Sequence, residues 1–133
     1  MLNPRDGRRL RVLVVDDYPV ARRMFTTGLA PYGVQTFEAG DAAEALAVAA
    51  EHNPDVIVLD LFLTGSSGLE VARELRARRG GERIAIIALS GHTGDEYRER
   101  AAEAGCDFYL VKPCTTDRLV ETIEAILPAR SAA

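Results

Sequence analysis

The sequence has few of the features that would place it in a membrane, in an oxidising compartment or on a nucleic acid. No uninterrupted apolar run approaches the ~20 residues that a bilayer-spanning helix needs, so membrane insertion is not expected. The first eleven residues are polar and arginine-rich with no apolar stretch behind them, which excludes a secretory signal. Only two cysteines occur, Cys106 and Cys114, and they form neither a C-x-x-C pair nor a disulfide framework. Their plain reading is free thiols, buried or partly buried, in a reducing cytoplasm. Positive charge is not in excess: 16 Lys and Arg stand against 20 Asp and Glu, for a net charge of −4. That balance argues against non-specific DNA or RNA binding, which usually needs a basic face, though it leaves room for a local basic patch. Internal repeats and low-complexity segments are also missing.

What is there fits one globular domain. The chain has 133 residues, 47% of them hydrophobic and 27% charged, enough apolar surface for a single core. A domain over 1–133 is expected, with its core at about 10–127 and loose tails at 1–9 and 128–133. Four short runs, 10–15, 56–59, 84–89 and 108–111, are almost continuously apolar, as parallel strands buried on both faces are. A fifth, 34–37, alternates apolar and polar (Val34, Gln35, Thr36, Phe37) and reads as an edge strand.

Helical spacing fills the gaps. Ala21, Met24, Phe25 and Leu29 mark a first helix, with Gly33 as its stop. Asp41 and Glu44 read as a capping pair for a second, whose inner face would be Ala43, Leu46, Ala47 and Ala50. Ser67 and Glu70 form an S-x-x-E capping box before Val71, Ala72 and Leu75, with Gly80-Gly81 as the stop. Thr93 and Glu96 repeat the box for a fourth helix that ends at Gly105. Leu119, Val120, Ile123, Ile126 and Leu127 mark the last, ended by Pro128. The order βαβαβαβαβα implies an α/β fold: a five-stranded parallel sheet with helices on both faces, joined by right-handed crossovers. Edge character on the second strand suits the flavodoxin-like (βα)5 order 2-1-3-4-5.

In such sheets ligands bind outside the carboxyl ends of the strands, near the switch in strand order between strands 1 and 3. Strand 1 ends in Asp16-Asp17, strand 3 in Asp60, strand 4 in Ser90 and strand 5 in Lys112-Pro113. Alone, each has a plainer reading as a helix start, a turn residue, a cap or an exposed turn. Their joint placement on one rim is what those readings leave unexplained. Three clustered carboxylates repel one another, and a hard divalent cation relieves that cost. Magnesium suits the donors, since it takes one or two carboxylates plus phosphate oxygens. Lys112 adds a second positive charge, and Ser90 can donate a hydrogen bond to a phosphoryl oxygen. A carboxylate can act as nucleophile and form an acyl phosphate, with catalysis resting on positioning and charge neutralisation.

Across residues 10–127 the chain resembles the receiver domain of two-component response regulators. The matching stretches are VLVVDDYP, DVIVLDL followed by SGLE, IIALSG and DFYLVKP. The resemblance implies Asp60 as phosphoacceptor, Asp17 as a direct Mg2+ ligand, Asp16 acting largely through water, and the Phe62 backbone carbonyl as a further ligand. It implies Lys112 as phosphate partner, Ser90 as switch hydroxyl and Tyr109 as switch aromatic. It also implies a histidine kinase or a histidine phosphotransfer protein as donor. Thr64 stands where family members often carry proline, Cys114 where an aromatic is frequent, and Gly91 where a small residue is usual. Phe62 and His92 occupy positions that tune phosphate lifetime in the family.

The expected function is a phosphorylation-activated signalling switch without turnover on an external substrate. Its output surface would be helix 4, strand 5 and helix 5, and it would not bind DNA directly. Met1 and the tail favour a stand-alone receiver over one cut from a hybrid kinase or larger regulator. Two rivals fail on chemistry. An aspartate-nucleophile phosphatase of the haloacid dehalogenase type needs an acid two residues after Asp60, and Phe62 cannot protonate a leaving group. A flavodoxin would set its phosphate against Asp16 and Asp17, which repel it.

Overall fold

The five apolar runs form five strands: β1 (Arg11–Val15), β2 (Gln35–Ala39), β3 (Val56–Asp60), β4 (Ala85–Ser90) and β5 (Phe108–Val111). Five helices follow them in turn: α1 (Pro19–Leu29), α2 (Ala42–His52), α3 (Gly68–Ala77), α4 (Asp95–Glu103) and α5 (Thr116–Ser131). This computed structural model describes residues 2, 8–63 and 65–131. All neighbouring strands of the main sheet pair in parallel, in the order β2-β1-β3-β4-β5. The expected fold and strand order are those observed.

Alternation along each central strand divides the core in two. Val12, Val14, Val56, Val58, Ile87 and Leu89 point to the face covered by α1 and α5, where Phe25, Leu29, Leu119 and Ile123 meet them. Leu13, Val15, Ile57, Leu59, Ile86 and Ala88 point to the other face, against Ala45, Ala49, Val71, Leu75 and Ala101 of α2, α3 and α4. Burial on both faces is why these strands read as unbroken apolar runs. Each large side chain so buried stabilises by about 1.5–3 kcal/mol. The helix α4 contributes little of this: its buried residue is Ala101, with Ala104 just beyond.

Several local expectations need correction. In α2 the inner face is Ala45 and Ala49 with Leu46 beside them, while Ala43, Ala47 and Ala50 are exposed; in an alanine-rich segment the apolar stripe is too broad to fix the rotation. Met24 of α1 is 51% exposed, and Thr26 takes the buried place, its hydroxyl bonded to the Arg23 carbonyl. Helix α3 stops at Ala77 with Arg78 extended, and Gly80-Gly81 instead open a short 3-10 turn through Arg83. The box at Thr93 does not form: Gly94 is the N-cap of α4 and no side chain caps it. Helix α5 continues through Pro128 to Ser131; a proline removes one intrahelical hydrogen bond, and this helix runs on without it. Asp41 does cap α2, accepting from the Glu44 N–H at 2.8 Å, and Glu44 in turn accepts from the Gly40 N–H.

Of the expected tail 1–9, Leu2, Arg8 and Arg9 lie among the described residues. Leu2 is 3% exposed, joins the α1/α5 core and donates its N–H to the Tyr32 carbonyl. Arg8 pairs with Asp55 at 2.7 Å, and Arg9 donates to the carbonyls of Gly33 and Val34. Thr64 and the remaining tail positions 1, 3–7, 132 and 133 lie outside the described residues.

Candidate functional site

Strand register brings the chemistry together. Val15 pairs with Leu59, Asp60 with Leu89, and Ser90 with Val111. The carboxyl ends of β1, β3, β4 and β5 are therefore level, and Asp16, Asp60, Ser90 and Lys112 share one rim.

Asp16 and Asp17 follow β1 directly. Asp16 is 3% exposed, and its Oδ1 accepts from the Tyr18 N–H at 2.9 Å. That bond turns the chain so that Pro19 can open α1, where its missing N–H is no loss. The Asp16 carbonyl accepts from the Arg22 guanidinium at 2.7 Å, which ties the turn back to α1. Asp60 ends β3, is also 3% exposed, and its Oδ1 accepts from the Phe62 N–H at 3.0 Å. The Lys112 Nζ lies 3.0 Å from Asp60 Oδ2 and 4.0 Å from Asp16 Oδ2. Asp16, Asp17 and Asp60 each place one oxygen within 4.8 Å of the others. Burial, with the charges of Asp60 and Asp17 adding to it, pushes the Asp16 carboxyl above its ordinary value, against the Tyr18 hydrogen bond and Lys112. A trio held this close fits a divalent cation, which would offset that repulsion. An open cavity of about 520 Å3 gives access, lined by the three aspartates, Phe62, His92 and Lys112 among others.

Ser90 is fully buried at the end of β4, and its Oγ accepts from the His92 N–H at 3.1 Å. The Tyr109 hydroxyl donates to the His92 carbonyl at 2.7 Å. One residue, His92, thus bridges the serine and the tyrosine by its two backbone groups. The Lys112 N–H donates to the Ser90 carbonyl at 2.8 Å, so the lysine and the serine are joined through the main chain as well.

A cluster that sequence reasoning missed stands beside the cavity. The His92 ring stacks on Tyr97 at 4.1 Å between centroids and meets Phe62 at 4.8 Å; Phe62 reaches Tyr97 at 5.4 Å. The three residues come from the loop after β3, the loop after β4 and the first turn of α4, so no local spacing announces them. Phe62 is itself in a two-residue hairpin with Ser67, another feature without an apolar run to mark it.

The model of the response regulator receiver domain matches residues 12–124. The chain belongs to the response regulator receiver domain family. This receiver is 37% identical over 122 residues to the probable transcriptional regulatory protein TcrX of Mycobacterium tuberculosis, covering 92% of this chain and 51% of that protein. It is 35% identical over 118 residues to the polar-differentiation response regulator DivK of Brucella ovis, covering 87% of this chain and 94% of that one. Among solved structures, the chemotaxis response regulator CheY4 of Vibrio cholerae superposes with a TM-score of 0.85 at 28% identity, covering 90% of this receiver and 99% of that chain. The chain spans about half the length of several curated relatives it matches, and nearly the whole of others.

Among the described residues, no helix of the receiver is long and apolar enough to cross a membrane.

Proposed function

We propose that Asp60 is the phosphoacceptor of this receiver and that its phosphorylation needs Mg2+. The observation that carries this is the carboxylate of Asp60 at the end of a buried strand, with an ammonium 3.0 Å from one oxygen and two more carboxylates beside it. Asp17 and Asp60, the Phe62 carbonyl, and Asp16 largely through water would hold the ion; bound there, Mg2+ neutralises charge that builds on the phosphoryl oxygens.

The donor is a phosphohistidine on a histidine kinase or phosphotransfer protein. An Asp60 oxygen attacks phosphorus, the P–N bond breaks, and the imidazole leaves with its electron pair and takes up a proton. Lys112, already paired with Asp60, keeps its charge beside the new acyl phosphate. Ser90 now uses its Oγ as an acceptor for the His92 N–H; its own hydroxyl proton remains available to donate to a phosphoryl oxygen.

A serine drawn toward phosphate pulls on His92, and His92 is held by Tyr109. We infer that α4, β5 and α5 form the two-state surface that reads the phosphate. The thin buried face of α4 supports this, because weakly packed elements rearrange at low cost. The chain acts as a signalling switch in the cytoplasm, not as an enzyme with external turnover, and does not itself bind DNA. Of the longer relatives, one is named a DNA-binding response regulator; there the receiver accounts for about half of the protein.

Acetyl phosphate with Mg2+ tests the reading. The wild type should gain one acid-labile phosphate by mass; Asp60→Asn should gain none, and excess chelator should prevent labelling. Undiminished labelling of Asp60→Asn would assign the acceptor elsewhere.

A further inference from the structure

At the opposite rim, where the strands begin, lies a second cavity of about 330 Å3. Val56 and Ala85, the first residues of β3 and β4, line it. Strands of this length separate it from Asp60 and Ser90 by roughly 15 Å. Its inner wall is apolar: Leu10 and Ile126 are buried behind it, and Ile84 and Leu127 are the partly exposed side chains that face it. Its rim carries Arg8, Arg78, Arg79 and Arg83.

Four guanidinium groups around one cavity are notable in a chain of net charge −4. The cavity's own acid is already used. Asp55 accepts from Arg8 through both oxygens, at 2.7 and 3.1 Å, and from the Arg11 N–H at 2.9 Å. Arg78 makes a single long contact, 3.5 Å to the Leu46 carbonyl. Helix polarity also fails to account for the rest. A helix end favours a cation in its last turn, and for α3 that is Arg76, whose guanidinium already serves the Gly81, Ile84 and Gly105 carbonyls and Asp107. Arg78, Arg79 and Arg83 come after that turn, and even with Glu82 between them the segment that borders the cavity carries more positive than negative charge.

Arginine forks match phosphate oxygens in pairs, and the volume falls at the small end of the ~300–1,000 Å3 typical of ligand sites. The apolar wall would take a flat uncharged body. We propose that this cavity binds a small organic phosphate of mononucleotide size, its phosphate on Arg79 and Arg83 and its base against Ile84 and Leu127. The site is separate from Asp60, and its occupancy does not depend on the phosphoacceptor assignment.

The experiment uses the full chain in phosphate-free buffer, with AMP as probe and adenosine and inorganic phosphate as separate arms. Calorimetry should give AMP an affinity at least about ten-fold above either fragment, because both halves of the cavity are engaged. Amide shifts should centre on Val56, Arg78–Ala85 and Ile126. Arg79 and Arg83 are both exposed, so the double variant Arg79→Ala/Arg83→Ala should fold; it should weaken AMP about ten-fold while Arg118→Ala leaves it unchanged. Unchanged labelling by acetyl phosphate in the double variant verifies its fold. The proposal is overturned if AMP binds no better than adenosine, if the double variant binds it as well as wild type, or if the shifts centre on Asp16, Asp60 and Lys112.

Discussion

Gly68 opens α3 directly beneath the carboxylate rim, and replacing it with alanine should disturb Asp60 without touching any charged group. A Cβ there would sit 2.5 Å from the Asp60 carbonyl oxygen and 2.5 Å from Leu61 Cα. Both are backbone atoms and cannot swing aside as a flexible side chain would. An ordinary contact is about 3.5 Å, so the strand end or the start of α3 must shift by roughly 1 Å. The 3.0 Å bond from the Gly68 N–H to the Leu61 carbonyl lies in the same place and would be strained with it. Overpacking of this kind costs about 1–3 kcal/mol, which for a domain of this size lowers the melting temperature by roughly 3–15 °C. Because the displaced atoms carry Asp60, acetyl phosphate labelling should slow at a temperature where the variant is still folded. Gly91→Ala is the control: it lies beside the same cavity, yet nothing stands within 4 Å of its added Cβ. Differential scanning fluorimetry and a labelling time course read both effects. If Gly68→Ala melts with the wild type and labels at the same rate, the close approach of α3 to the acceptor strand is wrong.

Two further outcomes follow from the same rim. Ser90→Ala should still take phosphate on Asp60 but transmit it poorly: amide shifts over 93–105 and at Tyr109 should respond to phosphate in the wild type and much less in the variant at equal labelling. Asp16→Asn should stabilise the metal-free protein. A folded-state carboxyl held above its ordinary 3.8 binds its proton more tightly than the unfolded chain does, so stability falls as pH rises from that value through the raised one. Urea melts in chelator should show the variant gaining on wild type across that window and keeping the gain at neutral pH, while added Mg2+ stabilises wild type more; equal stabilities at pH 7 in chelator would refute the cost assigned to the buried carboxylate.

The strands and the carboxylate rim were legible in the sequence because burial on both faces leaves an unbroken apolar run, and the residue that ends each run stands out. Lys112, Asp60 and the Asp16-Asp17 pair could be placed on one edge from strand order alone. The same approach misplaced the inner face of α2, where alanine at most positions leaves hydrophobicity nearly uniform around the helix. It misjudged the start of α4, where Thr93 and Glu96 have the right spacing but the chain does not enter the helix until after Gly94. The Phe62–His92–Tyr97 cluster and the docking of Leu2 beside Tyr32 join residues distant in sequence, and neither carries a periodic signal. The arginines after α3 were visible one by one, but only folding shows that three of them border the same cavity as Arg8.

The contact between Lys112 and Asp60 also matters to anyone handling the protein. The sequence contains a single lysine, so apart from the chain's own α-amino group its one primary amine sits 3.0 Å from the proposed acceptor. Reductive methylation with carbon-13 formaldehyde would therefore place a single side-chain NMR reporter at this centre. The same chemistry puts amine coupling to a sensor surface at odds with function, since every tether that does not form at the α-amino group consumes the ammonium group beside Asp60. An acyl-donating metabolite or enzyme that modified this lysine would remove the side-chain ammonium beside Asp60.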